Sequence, residues 1–232
     1  LIPNNQVLNN FAYWDTSTYL WYSIGGSTNT IGVNNVVYAM ELYAGNSIIV
    51  GGAFSAANTY SSISRIAIFT DSSETWSLPG TGVNDVVRDI YYTSGTTAYI
   101  CGEFTSSGNG ATPMYRVAKI NFSTNTIEPF ANVSNTHIGL NSVVYSNLFL
   151  TPRIYFGGNF TNTSPTSDIP MQSLAYYITT TQVVPLSVTT SAVSGFLNTE
   201  TGNTNTTITI PTRYKLITII YNSSLNQWLV TY

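Results

Sequence analysis

The chain of 232 residues carries one histidine, His137, and histidine is the commonest acid–base group at neutral pH. To serve as a catalytic base it needs a nucleophile and an orienting carboxylate. The stretch Asn132-Val133-Ser134-Asn135-Thr136-His137 contains no acid, and Glu128 is the nearest in sequence. A surface loop histidine is therefore the expected role. The single cysteine, Cys101, follows the apolar Ala98-Tyr99-Ile100, so a buried, unreactive thiol is expected and no disulfide framework can form within the chain. The 10 acids, Asp15, Glu41, Asp71, Glu74, Asp85, Asp89, Glu103, Glu128, Asp168 and Glu200, are scattered, without the Asp-x-Asp pattern of a calcium loop. No His/Cys cluster suits zinc. Gly51-Gly52 and Gly157-Gly158 are not followed by a helix or a lysine, so they do not read as phosphate cradles. No catalytic residue, no metal site and no cofactor is expected.

Composition narrows the partners. Only 7% of residues are charged, the net charge is -3, and Lys plus Arg number 7. Binding to nucleic acid requires a basic surface, so nucleic acid is excluded as a partner. Asn (24) and Thr (34) together make a quarter of the chain, so polarity comes from amides and hydroxyls. Hydrophobic residues at 43% are ample for a packed core. No apolar run reaches the roughly 18–20 residues of a transmembrane segment. Asn-x-Ser/Thr sequons begin at Asn121, Asn132, Asn159, Asn162, Asn205 and Asn222, which favours an extracellular, cell-surface or virion location. The chain opens on Leu1, and the reading from that residue is of a leader removed or a piece of a larger chain or particle.

Internal repetition decides the fold. Val33-Asn34-Asn35-Val36-Val37, Val83-Asn84-Asp85-Val86-Val87 and Leu140-Asn141-Ser142-Val143-Val144 share one pattern. Each leads, through an apolar stretch, to Gly51-Gly52-Ala53-Phe54, Cys101-Gly102-Glu103-Phe104 or Gly157-Gly158-Asn159-Phe160. Between them lies a second element, an Ala followed nine residues later by a large apolar residue: Ala12 to Trp21, Ala67 to Trp76, Ala118 to Ile127 and Ala175 to Val184. Thr218 to Trp228 is a degraded copy, one residue longer. Alternating β-branched and aromatic residues with small polar turns make both elements β-hairpins, and almost no helix is expected. One hairpin of each kind gives a four-stranded antiparallel blade, and radial repetition gives an all-β propeller. Five blades are expected, with four or six as alternatives. The expectation is one domain over 1–232, with repeats at about 11–64, 65–115, 116–173 and 174–232 and the ring closed by N- and C-terminal strands. Phe54, Phe104 and Phe160 are expected to be buried at equivalent places in successive blades.

The run Ile48-Ile49-Val50-Gly51-Gly52-Ala53-Phe54, followed by a polar loop and Arg65-Ile66-Ala67-Ile68-Phe69, resembles the Gly-Gly-x-Phe-Thr propeller repeats. These loosely Kelch-like repeats occur in fungal cortical polarity markers and in bacterial and viral surface proteins. The resemblance covers about residues 11–187 and implies the fold. The C-terminal hairpin, from Thr207-Ile208-Thr209-Ile210 to Gln227-Trp228-Leu229-Val230, resembles hairpins of viral and phage surface or fibre proteins. Thr70-Asp71-Ser72-Ser73-Glu74-Thr75-Trp76 resembles the Asp-box turn of sialidase propellers, with Ser73 in place of its glycine. Sialidase chemistry would need clustered arginines, and the spacing of Arg65, Arg88, Arg116, Arg153 and Arg213 shows no cluster.

The expected function is non-enzymatic: a surface- or virion-associated module that recognises or scaffolds a protein through loops. The alternatives are a glycan-binding lectin-like propeller, favoured by 17 Tyr, and a glycoside hydrolase of sialidase type. The longest loops, 55–64, 105–114 and 161–170, leave the same end of the blades as the inter-blade links 25–35, 79–85 and 133–141. Loops on a rigid scaffold are where recognition is built. Tyr60, Asn84, Asp85, Asn109, His137 and Asp168 are the expected contributors.

Overall fold

The computed structural model describes residues 8–24, 32–58, 63–93, 95–130, 137–150, 153–165, 170, 173–178, 182–185, 205–211, 216–222 and 227–231, with His137, Pro165 and the residues from 177 onward as backbone alone. They belong to two compact units, 1–186 and 187–232.

In the first unit β1 (Ala12–Asp15) and β2 (Leu20–Ser23) form a two-stranded hairpin. A four-stranded antiparallel sheet follows in the order β3 (Val37–Tyr43), β4 (Ser47–Gly52), β5 (Ile66–Thr70) and β6 (Thr75–Ser77). A second contains β7 (Val87–Tyr92), β8 (Thr97–Gly102), β9 (Val117–Asn121) and β10 (Thr126–Pro129). The remaining strands are β11 (His137–Leu140), β12 (Val144–Leu150), β13 (Arg153–Gly158), β14 (Thr163–Pro165), β15 (Leu174–Ile178) and β16 (Gln182–Pro185). Of these, β12-β13-β15-β16 make the third four-stranded sheet, and β11 pairs with β14. Each four-stranded blade opens with the Val-Val hairpin and ends with the Ala-type hairpin. The all-β, four-stranded antiparallel architecture is the expected one, and the described helical structure is one short 3-10 turn at Asp71–Ser73.

Successive blades pack face to face, and each contact is a separate apolar layer. Ala39, Ile49 and Ile66 of the first blade meet Ile90, Ile100, Ala118 and Ile120 of the second. Tyr99, Cys101 and Val117 of the second meet Val144, Ile154, Phe156 and Ala175 of the third. Phe11, just before β1, packs with Phe69 and Trp76 of the first blade. Phe54, Phe104 and Phe160 are each fully buried, as expected from their nearly equal spacing from the Val-Val pairs.

The short-turn end of the blades is closed by local chemistry. Gly45 takes a φ of 70°, and Asn125 takes 52°, a conformation its short polar side chain tolerates. At that end the rings of Tyr43, Tyr92 and Phe122 gather with centroids 4.4–6.0 Å apart. Burial and then the neighbouring Tyr92 push the Tyr43 hydroxyl pKa up. The second unit is a three-stranded antiparallel meander of β17 (Asn205–Pro211), β18 (Leu216–Asn222) and β19 (Gln227–Thr231), and the expected terminal hairpin appears there with Tyr221 opposite Trp228.

Candidate functional site

The long-loop end is built on a bulge. Each inner strand carries one extra residue against its partner: between Val37 and Ala39 opposite Gly52 and Gly51, between Val87 and Asp89 opposite Gly102 and Cys101, and between Val144 and Ser146 opposite Gly158 and Gly157. The carbonyl of the residue before the strand turns across the bulge. Val36, Val86 and Val143 accept from the N–H groups of Ala53, Glu103 and Asn159 at 2.8–2.9 Å. A Cβ on Gly52, Gly102 or Gly158 would fall onto that carbonyl oxygen, which is why the second glycine of each pair is kept while the first becomes Cys101 in the second blade.

The bulge places Tyr38, Arg88 and Tyr145 at equivalent positions in three successive blades. Tyr38 and Tyr145 are 43% and 51% exposed. The Arg88 guanidinium sits 4.3 Å from the Tyr38 ring centroid and pairs with Glu103, its Nε donating to Oε1 at 2.8 Å. Burial alone would lower the Arg88 pKa, but the hydrogen bond and charge of Glu103, helped by Tyr38, outweigh it and raise the pKa. The result is a charged group held between the Tyr38 ring and the Glu103 carboxylate.

An asparagine latches the two loops of each blade together. The Oδ1 of Asn34 accepts from the N–H groups of Ser55 and Ala56 at 2.8 and 3.0 Å. Asn84 does the same with Thr105 and Ser106 at 2.9 and 3.0 Å, and Asn141 with Thr161 and Asn162 at 2.9 and 3.1 Å. Each Nδ2 donates to the following hydroxyl, of Ser55, Thr105 or Thr161. Backbone N–H groups of the same three asparagines donate to Ala56, Ser106 and Asn162 carbonyls at 3.1 Å. The Asn of the Val-Val pattern and the hydroxyl after the Phe are therefore two halves of one fastening.

The expected site residues divide accordingly. Asn84 is exposed, but its amide is engaged in the latch. Asp85 is exposed beside it, and its Oδ1 accepts from the Val86 N–H at 2.8 Å. Asn109 caps the 105–114 loop, accepting from the Ser107 hydroxyl at 2.7 Å and the Ala111 N–H at 3.1 Å. His137, expected in a loop, instead opens β11, its backbone paired with Pro165, because the inter-blade link and the long loop run antiparallel there and form a ladder. Tyr60 and Asp168 lie outside the described residues. Sequence reasoning missed Tyr38, Arg88 and Tyr145, although each directly follows its Val-Val pair.

The other reactive-looking groups have structural duties. Arg65 and Arg116 each donate to the backbone carbonyl of the residue before the Phe, Ala53 and Glu103 respectively. Arg153 lies 5.3 Å from the Tyr176 ring centroid. Cys101 is fully buried, with Asn147 Nδ2 3.5 Å from its Sγ. Burial and then the nearby Asp89 hold its thiol well above its ordinary pKa. Asp89 also ties blades together, its Oδ2 accepting from the Asn147 N–H at 2.8 Å. The 3-10 turn at Asp71–Ser73 leads to Trp76, which is buried against Phe69, so the segment that resembles an Asp box serves packing here. Among the described residues no group of three His, Cys, Asp or Glu is placed to hold a metal, and no helix is long and apolar enough to cross a membrane.

Comparison with known proteins gives one family. The model of the Rax2 C-terminal beta propeller domain matches residues 22–151. Among curated proteins none matches the chain. Two solved structures of computationally designed proteins are similar. Ika4 has 11% identity and a TM-score of 0.42, over 87% of this chain and 93% of its own. Ika8 has 10% identity and a TM-score of 0.33, over 87% of this chain and 61% of its own.

Proposed function

The chain belongs to the Rax2 C-terminal β-propeller domain family, and from that premise we propose that it is a non-enzymatic recognition and scaffold module that binds a protein through its long-loop face. The observation that carries this reading is the threefold repeat of bulge and latch. It uses three asparagines and three hydroxyls to fasten the loops, and the bulges beside them carry Tyr38, Arg88 and Tyr145. Tyr and Arg are the residues most enriched at the centres of protein interfaces, because they offer large rigid contact area with a polar end. Asp85 and Asn109 add polar groups at the rim. A surface location, on a cell or a particle, is part of the proposal and agrees with the sequons.

One observation favours a glycan instead. Trp14, Trp21 and Tyr19 are exposed on the β1–β2 hairpin, and aromatic rings stack on sugars. Hydrolysis is disfavoured because, among the described arginines, Arg65 and Arg116 are held on backbone carbonyls and Arg88 on Glu103. Three assays separate the readings. Glycan-array binding without turnover supports a lectin, and glycoside turnover abolished by a single carboxylate substitution supports an enzyme. A protein partner whose binding is lost in Tyr38→Ala or Arg88→Ala, with both glycan assays flat, supports the scaffold.

A further inference from the structure

The sequon Asn121-Phe122-Ser123 lies where β9 turns into β10, at the short-turn end of the second blade. The Asn121 Oδ1 accepts from the N–H groups of Ser123 at 3.0 Å and Thr124 at 3.4 Å, so its amide folds over the turn. The oxygen is thereby fixed and the nitrogen is left over. Among the described residues neither Asn121 Nδ2 nor the Ser123 hydroxyl has a hydrogen-bond partner. Phe122 between them turns inward, its N–H on the Thr96 carbonyl at 2.8 Å and its ring centroid 4.4 Å from that of Tyr43. Asn125 ties the turn to the preceding inter-blade link by accepting from the Gly80 N–H at 2.9 Å. Residues 123–126 are exposed.

The two other sequons with described side chains are engaged differently. Asn159 is exposed, but Phe160 beside it is fully buried, and the Thr161 hydroxyl accepts from Asn141 Nδ2 at 3.1 Å and Asn162 Nδ2 at 3.2 Å. Asn162 thus commits its own Nδ2, and Thr163 and Ser164 after it are buried. Transfer of a sugar to a folded chain needs the asparagine and the hydroxyl residue free together, which Asn121 alone of these three offers. Transfer to a chain still unfolded would reach every sequon, but the product must then fold around a bulky, hydrated group. At Asn162 that group would stand against the Asn141–Thr161 latch. Asn121 suits both orders of events.

We propose that Asn121 carries an N-linked oligosaccharide, an inference that rests on the surface location proposed above. The donor class is a polyprenyl-diphosphate oligosaccharide. A bond forms between Asn121 Nδ2 and the sugar C1 while the C1–O bond to diphosphate breaks. Polyprenyl diphosphate leaves with the bonding pair, and Nδ2 loses one proton. The sugar covers part of the short-turn end and stands away from the long-loop face.

The test expresses the full chain behind a cleavable secretory leader in a eukaryotic host. Peptide N-glycosidase in heavy-oxygen water then marks every occupied asparagine as a labelled aspartate, read by peptide mass mapping. The mark is expected at Asn121 in most copies and at Asn162 in few. Asn121→Asp keeps both turn bonds and should lose the glycan with unchanged circular dichroism. Ser123→Ala, which leaves the amide in place, should lose it as well. An unmarked Asn121 in the secreted chain, or a mark at Asn162 as strong as at Asn121, would overturn the proposal. The chain isolated from its source cells separates this inference from the location it rests on. No mark at any sequon there refutes the surface location and the natural modification together, whereas marks at other sequons with Asn121 bare refute the assignment of Asn121 alone.

Discussion

Removing the latch at Asn84 tests how the long-loop face is held. Asn84→Ala deletes two accepted bonds, from Thr105 N–H at 2.9 Å and Ser106 N–H at 3.0 Å, and one donated to Thr105 Oγ1 at 3.0 Å. A net hydrogen bond contributes about 0.5–1.5 kcal/mol, and these are exposed, so water replaces part of each. The low half of that range, over three bonds, gives a loss of about 1.5–3 kcal/mol for Asn84→Ala. Asn84→Asp keeps both accepted bonds and loses the donated one, so it should cost about 0.5–1 kcal/mol. Urea unfolding reads both values, and an unchanged m-value shows that the unfolded reference has not moved. Amide exchange at Thr105 and Ser106 should accelerate by about tenfold in Asn84→Ala while amides in the strands stay protected. Equal losses for the two variants, or unaltered exchange at both loop amides, would refute the latch.

Phe104→Ala, emptying a fully buried site between blades, should cost about 3–5 kcal/mol, whereas Tyr145→Ala should stay within about 0.5 kcal/mol in the same denaturant titration. Cys101 should ignore a thiol reagent at pH 8 until the chain unfolds. Because its pKa is raised by folding, the associated stability is present below the unfolded thiol's pKa and is lost as pH rises beyond it. Glu128 has the opposite sign: the hydrogen bond from Lys119 lowers its pKa from 4.5, so its contribution exists above that value and disappears as pH falls through the folded pKa. Acid titration of Glu128→Gln should show a flatter decline. With 7% charged residues, the melting temperature should move by less than about 5 °C between low and moderate salt.

The hairpins were legible because side-chain alternation and spacing report strand faces directly. The distance from Val37 to Phe54 recurs from Val87 to Phe104, and the aromatic rings are buried in equivalent places. Turn chemistry was equally readable, as at Thr70-Asp71-Ser72-Ser73. The bulge was less so, since one extra residue leaves the local pattern apolar and only the repeated pairing of β3 with β4, and of β7 with β8, reveals it. Tyr38, Arg88 and Tyr145 were overlooked for that reason: they look like strand residues, and the bulge turns them outward. The latch role of Asn84, expected only as a contributor to the recognition face, is hidden in the sequence because its partners, Thr105 and Ser106, are 21 and 22 residues away. His137 was read as a loop residue because the ladder that holds it depends on a distant segment, 163–165.

The location of the recognition surface is most directly measured by photo-crosslinking from opposite ends of the blades. A benzophenone amino acid replaces Tyr145 on the long-loop face in one protein and Asn46, exposed on the short-turn face, in another. Each is illuminated with a whole-cell protein extract. The expected result is a discrete adduct from position 145, none from position 46, and loss of the adduct when Arg88→Ala is added. Equal adducts from both positions, or an adduct from position 46 alone, would contradict recognition through the long-loop face.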